Sequence, residues 1–254
     1  MKFKVIVQAG SVYNHSNYDL EREILDPIGA ELIEVKSDDK NDFIKEAKNA
    51  DALIAGKMQL SKEIIESLEK CKVISIGSVG TDTIDIAAAT QNRIPVTNDP
   101  DTFIDEVADH TLTLILSTYR RLTLLYQMSK DGRWKEARPY LYEFPRLMGQ
   151  SLGLIAFGHV ARAVAKRAKP FGFNILAYDP YISETTISEA GAIPVNLDEL
   201  LKSSDIVSMH APGSEETDQM LKETHFKLMK KLSLIHISEP TRLGMISYAV
   251  FCLK

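Results

Sequence analysis

The feature that most constrains the fold is the stretch SLGLIAFGHVARAVAKRAKPFGFNILAYDP, residues 151–180. An apolar run, LGLIAF, leads into Gly158, and a helical pattern through Ala161 and Ala165 follows it. Gly172 is a helix stop signal, and NILAYD is a second apolar run. Strand, helix and strand in this order predict two parallel strands joined by a crossover helix, because antiparallel strands need only a short hairpin.

The turn of this unit carries the small residues of a dinucleotide-binding motif. In such a motif, G-x-G-x-x-G, the pyrophosphate sits on free N–H groups at a helix N-terminus. Here Ala156 holds the first glycine position, Gly158 the second and Ala161 the third. Asp179 closes the second strand at the spacing of the carboxylate that binds the ribose 2′-hydroxyl, and its charge would repel the additional phosphate of NADP. The unit therefore predicts NAD as the cofactor; an ordinary βαβ unit with a small-residue turn is the alternative.

The rest of the chain continues the alternation of strands and helices. In residues 1–100, five strand-like runs from FKVIVQ to RIPVTN alternate with helical segments, one of them capped by Ser61. Residues 101–131 have apolar side chains at helical spacing up to Gly132 and predict one long, largely buried helix. The predicted fold class is therefore α/β, with two doubly wound, Rossmann-like domains.

Composition argues against several other classes of protein. The chain is 44% hydrophobic and 26% charged, as soluble globular proteins are, and its net charge of −5 offers no broad attraction to nucleic acid or an anionic membrane. Cys71 and Cys252 stand far apart, and no clustered Cys/His spacing predicts a metal site or a disulfide framework. Because no signal-peptide pattern and no membrane-length apolar run is present, the expected location is the cytoplasm.

Four motifs together resemble one enzyme family. The segments SVGTDTIDIAAATQNRIPVTN, EVADHTLTLILSTYRR, the nucleotide motif and LDELLKSSDIVSMHAPGSEET are similar, in this order, to the D-isomer-specific 2-hydroxyacid dehydrogenases. The long-helix pattern and FGFNILAYDPY are most similar to the subgroup related to the C-terminal-binding-protein corepressors. The resemblance covers residues 1 to about 231. It implies a flavodoxin-like substrate or catalytic domain over 1–100 and an NAD-binding Rossmann domain over 101–231.

The resemblance also implies roles for individual residues. Ser78, Val79 and Gly80 correspond to the loop whose N–H groups receive the substrate carboxylate, and a glycine-bearing turn after a strand suits that role. A plain strand-ending turn is the alternative. The further cofactor contacts that the resemblance implies are Thr111 near the nicotinamide, His159 and Val160 against the pyrophosphate, Ala211 and Pro212 over the adenine side and the nicotinamide ribose, and Thr217.

No catalytic residue is assigned. Hydride transfer needs a base and a cation, and in the family an arginine, a glutamate and a histidine supply them beyond the helix containing LMKK. The resemblance ends at about Lys231, and the position expected for the arginine holds Pro240, with Arg242 nearby. We therefore expect residues 232–254 to be a non-native tail and the second domain to be incomplete; a truncated paralogue is the alternative. LSLIHI is short and apolar enough to occupy the next parallel strand.

Three functions remain open on this basis. The first is NAD-dependent hydride transfer between a D-2-hydroxy acid and its 2-oxo acid, with this chain itself inactive because the family Arg/Glu/His set is missing. The second is an NAD-binding, corepressor-like regulatory protein without turnover, and the third is a degraded fragment with neither role. The expected partners are the small-molecule 2-hydroxy or 2-oxo acid and, in the full-length parent, a second copy in a homodimer. No direct nucleic-acid or membrane partner is expected.

Overall fold

The computed structural model describes residues 3–8, 18–142, 145–214 and 216–231, together with the backbone of 234–237 and 252–253. The chain divides into two compact units, Met1–Thr102 and Phe103–Lys254. The boundary between these units lies two residues beyond the predicted one. The predicted role of each domain stays a prediction.

The first unit contains five parallel strands. They are β1 (Phe3–Gln8), β2 (Ala30–Val35), β3 (Ala52–Ala55), β4 (Val73–Ile76) and β5 (Val96–Thr97). Its helices are α1 (Asp19–Leu25), α2 (Lys40–Ala47), α3 (Lys62–Glu66) and α4 (Ile86–Gln91). The strand order is β2-β1-β3-β4-β5, with every pair parallel. This is the order of flavodoxin-like doubly wound sheets.

Local signals account for most helix ends in this unit. The Asp39 carboxylate accepts from the N–H groups of Asn41 and Asp42 and so caps α2. After α1, a 3-10 turn carrying Pro27 ends at Gly29, whose φ is +74°. Ser61 precedes α3, but its side chain makes no capping hydrogen bond. The predicted N-cap position of Ser61 is therefore confirmed, but the capping hydrogen bond that the prediction implies is not made.

The second unit contains the remaining strands. They are β6 (Ser151–Ile155), β7 (Asn174–Tyr178), β8 (Ile193–Pro194), β9 (Ile206–Met209), β10 (Leu234–Ile237) and β11 (Cys252–Leu253). Its helices are α5 (Ile104–Tyr119), α6 (Leu122–Lys130), α7 (Trp134–Ala137), α8 (His159–Ala168), α9 (Glu184–Glu189), α10 (Leu197–Ser203) and α11 (Glu223–Leu228). The sheet order is β11-β10-β9-β6-β7-β8, and only the β10–β11 pair is antiparallel. This is the Rossmann order, in which the first strand has the second on one side and the fourth on the other.

The segment LSLIHI does form the next parallel strand. β10 pairs with β9 in parallel register, with Leu234 opposite Ile206 and Ile237 opposite Met209. The predicted strand is therefore confirmed. The interpretation of residues 232–254 as a non-native tail stays a prediction, and most of those residues lie outside the described part of the chain.

The single long helix predicted over residues 101–131 is wrong. α5 ends at Tyr119, and α6 begins at Leu122 after Arg121, which has φ +49°. A left-handed residue costs about 1–2 kcal/mol outside glycine. The Arg121 guanidinium lies 5.2 Å from the centroid of the Tyr140 ring, a cation–π contact that offsets part of this cost. Because both helices have apolar residues at helical spacing, the pattern alone does not show that Arg120 and Arg121 separate them.

Candidate cofactor site

The carboxyl ends of three strands of the second sheet meet at one edge. Ile155, at the end of β6, lies opposite Tyr178 of β7 and Met209 of β9. The chain leaving β6 therefore runs between the loops that follow its two neighbours. In doubly wound folds this reversal of strand order opens the crevice in which ligands bind.

The turn after β6 is anchored at its first residue. The Ala156 N–H donates to the Tyr178 carbonyl at 2.8 Å, and Ala156 has φ +65°. The first position of the motif thus adopts the left-handed conformation that glycine takes without strain. Alanine keeps the shape of the turn at a cost in stability.

We expect Ala156→Gly to raise the free energy of unfolding of the second unit by about 0.5–1 kcal/mol, because glycine relieves the positive φ. Urea denaturation followed by circular dichroism measures the change. Ala161→Gly is the matched control, since Ala161 is buried within α8, where glycine lowers stability by about 1 kcal/mol. Equal destabilisation by both substitutions would contradict the strain at Ala156.

Gly158 stands at the N-cap of α8 with φ −72° and ψ −162°, an extended conformation that any residue can adopt. A Cβ built on Gly158 meets no atom of the described residues within 4 Å. Neither backbone strain nor internal packing therefore requires glycine at this position. The space that a side chain would fill is open to a ligand that approaches the backbone.

The helix that follows is held close to the sheet by small residues. Ala161, Ala165 and Ala168 are buried, with Val164, on the inner face of α8. The N-cap residue of α8 is Gly158, which has no side chain to cap the helix, and the N–H groups of a first helical turn have no intrahelical acceptor. The His159 ring is exposed, whereas Val160 is half-buried. This end of the helix has the polarity and the donors that bind an anion.

Asp179 follows β7 directly and organises two turns. Its Oδ2 accepts from the Phe157 N–H at 2.7 Å, and its Oδ1 accepts from the N–H groups of Tyr181 and Ile182 at 2.8 and 3.0 Å. The carboxylate thus ties the turn after β6 to the turn after β7. Three backbone donors hold its charge in place at the edge of the crevice.

The loop after β9 holds Ala211, Pro212 and Thr217. The His210 N–H donates to the Ile155 carbonyl at 2.8 Å, so this loop leaves the sheet beside the turn after β6. The Thr217 hydroxyl donates to the Pro212 carbonyl at 2.6 Å and accepts from the Ser214 N–H at 2.8 Å. In the structure the side chain of Thr217 therefore shapes the loop that carries Pro212. Its predicted contact with the cofactor stays a prediction.

Thr111 differs from the other predicted cofactor residues in its surroundings. It is buried on α5, and its hydroxyl donates to the Val107 carbonyl one turn earlier, at 2.8 Å. Gly158, His159, Val160, Asp179 and the residues after β9 gather at one sheet edge, whereas Thr111 is a helical residue of the same unit. Its predicted position near the nicotinamide stays a prediction.

The predicted substrate loop lies in the first unit, after β4. The Ser78 hydroxyl donates to the Gly80 carbonyl at 2.7 Å, and Asn98 Nδ2 donates to the Val79 carbonyl at 2.7 Å. Both carbonyls are thus occupied. Within the described part of the chain, the N–H groups of Val79 and Gly80 have no acceptor. This geometry suits an anion but does not by itself identify one.

Metal sites and membrane spans are absent from the described ranges. No group of three or more His, Cys, Asp or Glu side chains there is arranged to hold a metal ion. No helix of those ranges has the length and apolar character needed to cross a membrane.

One contact at the crevice had no signal in the sequence. The Tyr181 hydroxyl donates to Glu216 Oε2 at 2.5 Å.

The sequence was compared with models of known protein families. Residues 112–238 match the model of the D-isomer specific 2-hydroxyacid dehydrogenase, NAD binding domain. The chain belongs to the D-isomer-specific 2-hydroxyacid dehydrogenase family. The family match ends at residue 238, seven residues beyond the limit of about 231 that the sequence motifs set. NAD is the cofactor of this family's nucleotide domain.

Individual relatives of this dehydrogenase-family chain agree with that assignment. It is 35% identical over 198 residues to the D-3-phosphoglycerate dehydrogenase of Methanocaldococcus jannaschii, covering 77% of this chain and 37% of the relative. It is also 35% identical over 198 residues to the glyoxylate reductase of Thermococcus litoralis, covering 76% of this chain and 60% of the relative. Both alignments span less than two thirds of the relative's length.

A solved structure shows the same fold. The D-lactate dehydrogenase of Aquifex aeolicus, in complex with NAD and lactic acid, superposes with a TM-score of 0.76 at 26% identity. The match covers 92% of this chain and 68% of that one. The similarity to the corepressor-related subgroup stays a prediction.

Proposed function

We propose that the second unit binds NAD in the crevice at the carboxyl end of β6. The observation that carries this proposal is Gly158, whose backbone is unstrained and whose missing side chain leaves open space. The absence of a side chain there lets a ligand approach the backbone, and the N-terminus of α8 supplies the donors for a pyrophosphate. Val160 and His159 would contribute these N–H groups.

The adenosine ribose would lie against Asp179. Both carboxylate oxygens of Asp179 already accept hydrogen bonds from backbone N–H groups. Because a carboxylate has about four acceptor sites, it can still accept from the ribose hydroxyls. The fixed negative charge supports NAD over NADP, because a 2′-phosphate carries nearly two negative charges at neutral pH. Ala211 and Pro212 would cover the cofactor from the loop after β9.

For the whole protein we infer hydride transfer between a D-2-hydroxy acid and its 2-oxo acid, as its family membership suggests. NADH would supply the hydride, and the loop of Ser78, Val79 and Gly80 would receive the substrate carboxylate through its N–H groups. We assign none of residues 1–231 to proton transfer, because none of them corresponds to the family's arginine, glutamate or histidine. The homodimer also remains a prediction, supported by exposed apolar side chains on α6, where Leu122 is 57% and Tyr126 62% exposed.

We expect the 254-residue polypeptide to bind NADH saturably but to reduce no 2-oxo acid above a heat-treated control. Calorimetric titration with NADH tests the cofactor site. Absorbance at 340 nm in the presence of glyoxylate or pyruvate tests turnover. Absence of NADH binding would overturn the cofactor site, whereas turnover would show that other residues supply the acid–base chemistry.

A further inference from the structure

A hydrogen bond joins the loops on either side of the crevice. Tyr181 lies two residues beyond Asp179 in the loop after β7, and Glu216 lies in the loop after β9. The Tyr181 hydroxyl donates to Glu216 Oε2 at 2.5 Å. These two residues form what we call the Tyr181–Glu216 bridge.

The bridge connects two strands that are not neighbours. The local sheet order is β9-β6-β7, so the strand carrying the Gly158 turn lies between them. Adjacent strands are about 4.8 Å apart, which separates β7 from β9 by about 10 Å. The two side chains therefore reach toward each other across the end of β6, where the cofactor crevice opens.

The two side chains are exposed, with Tyr181 at 76%, so packing does not hold them in place. The pKa of Tyr181 is raised because its hydroxyl donates to Glu216 and because the Asp179 charge lies nearby. The phenol thus stays protonated at neutral pH and remains a donor. This donor holds the Glu216 carboxylate at the end of the Tyr181 side chain, in the loop that begins at Asp179.

We infer that Glu216, positioned by Tyr181, is a second cofactor-specificity residue beside Asp179. Two carboxylates at the ribose end of the crevice oppose a 2′-phosphate more strongly than one. The inference rests on the proposed NAD site. It adds a determinant that comes from the loop after β9, on the other side of β6 from Asp179.

Removing the Glu216 charge tests this inference. In the full-length chain, Glu216→Gln is expected to lower the Kd for NADPH about fivefold while the Kd for NADH changes less than twofold. The gain in NADPH affinity should shrink at high salt, because exposed charges are screened. Kd values come from fluorescence titration of each nucleotide at low and high ionic strength.

Two further variants separate the effect of where Glu216 lies from the effect of the net charge of the protein. Glu189→Gln removes an equally exposed carboxylate at the end of α9 and is expected to leave the NADPH-to-NADH ratio of Kd values unchanged. Tyr181→Phe keeps every charge but releases Glu216, and is expected to lower the Kd for NADPH two- to threefold. Thermal melting checks that all three variants fold.

The outcomes distinguish this inference from the proposed function. If the unaltered chain does not bind NADH, the proposed site is wrong and the bridge loses its role with it. If NADH binds, but Glu216→Gln changes the ratio no more than Glu189→Gln does, only the role of Glu216 is overturned. A Tyr181→Phe variant that matches the unaltered chain would overturn the positioning role of the phenol.

Discussion

Replacing Gly158 with alanine is expected to raise the Kd for NADH at least about tenfold, a loss of about 1.4 kcal/mol of binding free energy. The added Cβ occupies the open space beside the N-terminus of α8, where the proposed site places the pyrophosphate. It would hold the phosphates away from the N–H groups of the first helical turn. Calorimetric titration of NADH into the variant measures the effect.

The loss of affinity should greatly exceed any effect on folding. Gly158 has an extended backbone, and within the part of the chain that the structure describes its new Cβ meets no atom within 4 Å. Alanine is a poorer N-cap than glycine, which lowers the free energy of unfolding by at most about 1 kcal/mol. The variant is therefore expected to fold and to be defective in binding.

Gly132→Ala is the matched control, because it is expected to lower the free energy of unfolding while leaving NADH affinity unchanged. Gly132 follows α6 with φ +72°, so alanine there is strained and should lower the free energy of unfolding by about 1 kcal/mol. Its Kd for NADH should stay within twofold of the original. If both glycine variants lose NADH affinity equally, the special role of Gly158 is contradicted.

Asp179→Ala is expected to affect folding and binding together. It removes the acceptor of the Phe157, Tyr181 and Ile182 N–H groups, and the hydrogen bonds of Phe157 and Ile182 are partly buried. Hydrogen bonds to a charged acceptor contribute about 1.5–3 kcal/mol each, and the exposed Tyr181 N–H can bond to water instead. We therefore expect the free energy of unfolding to fall by about 2–4 kcal/mol without cofactor, and NADH binding to be lost.

Urea denaturation of the second unit measures this change. Trp134, the single tryptophan of the chain, lies in that unit and reports on its unfolding. Asp198→Ala is the control, since that exposed carboxylate pairs with Lys202 at 4.0 Å and its loss should lower the free energy of unfolding by less than about 1 kcal/mol. An Asp179→Ala variant no less stable than this control would show that the carboxylate does not tie the two turns together.

The prediction of the nucleotide unit succeeded because its parts are close in sequence. The residues from Ser151 to Asp179 form one strand–helix–strand unit. Each signal in it acts locally: apolar runs for strands, small residues for helix packing and glycine for the turn. The alternation of strands and helices likewise predicted two parallel sheets. The resemblance added positions such as Pro212, which no local pattern assigns to a cofactor site.

The errors arise where a single conformation or a distant contact decides the outcome. The break between α5 and α6 depends on the left-handed Arg121, and apolar spacing continues on both sides of it. Ser61 occupies a capping position but does not make the capping bond. A propensity describes what a residue favours on average, whereas the hydrogen bond depends on the rotamer that the surroundings select.

By itself, the sequence determined the α/β class, the βαβ unit with Gly158 and Asp179, and the relation to the hydroxyacid dehydrogenases, because these are set by local periodicity and by ordered motifs. Only the tertiary structure decided that Ala156 is strained, that Gly158 faces open space, and that Tyr181 meets Glu216. Those two residues are 35 positions apart and belong to loops of non-adjacent strands. Their contact follows from the strand order, in which β6 lies between β7 and β9, and no pattern along the chain encodes that order directly.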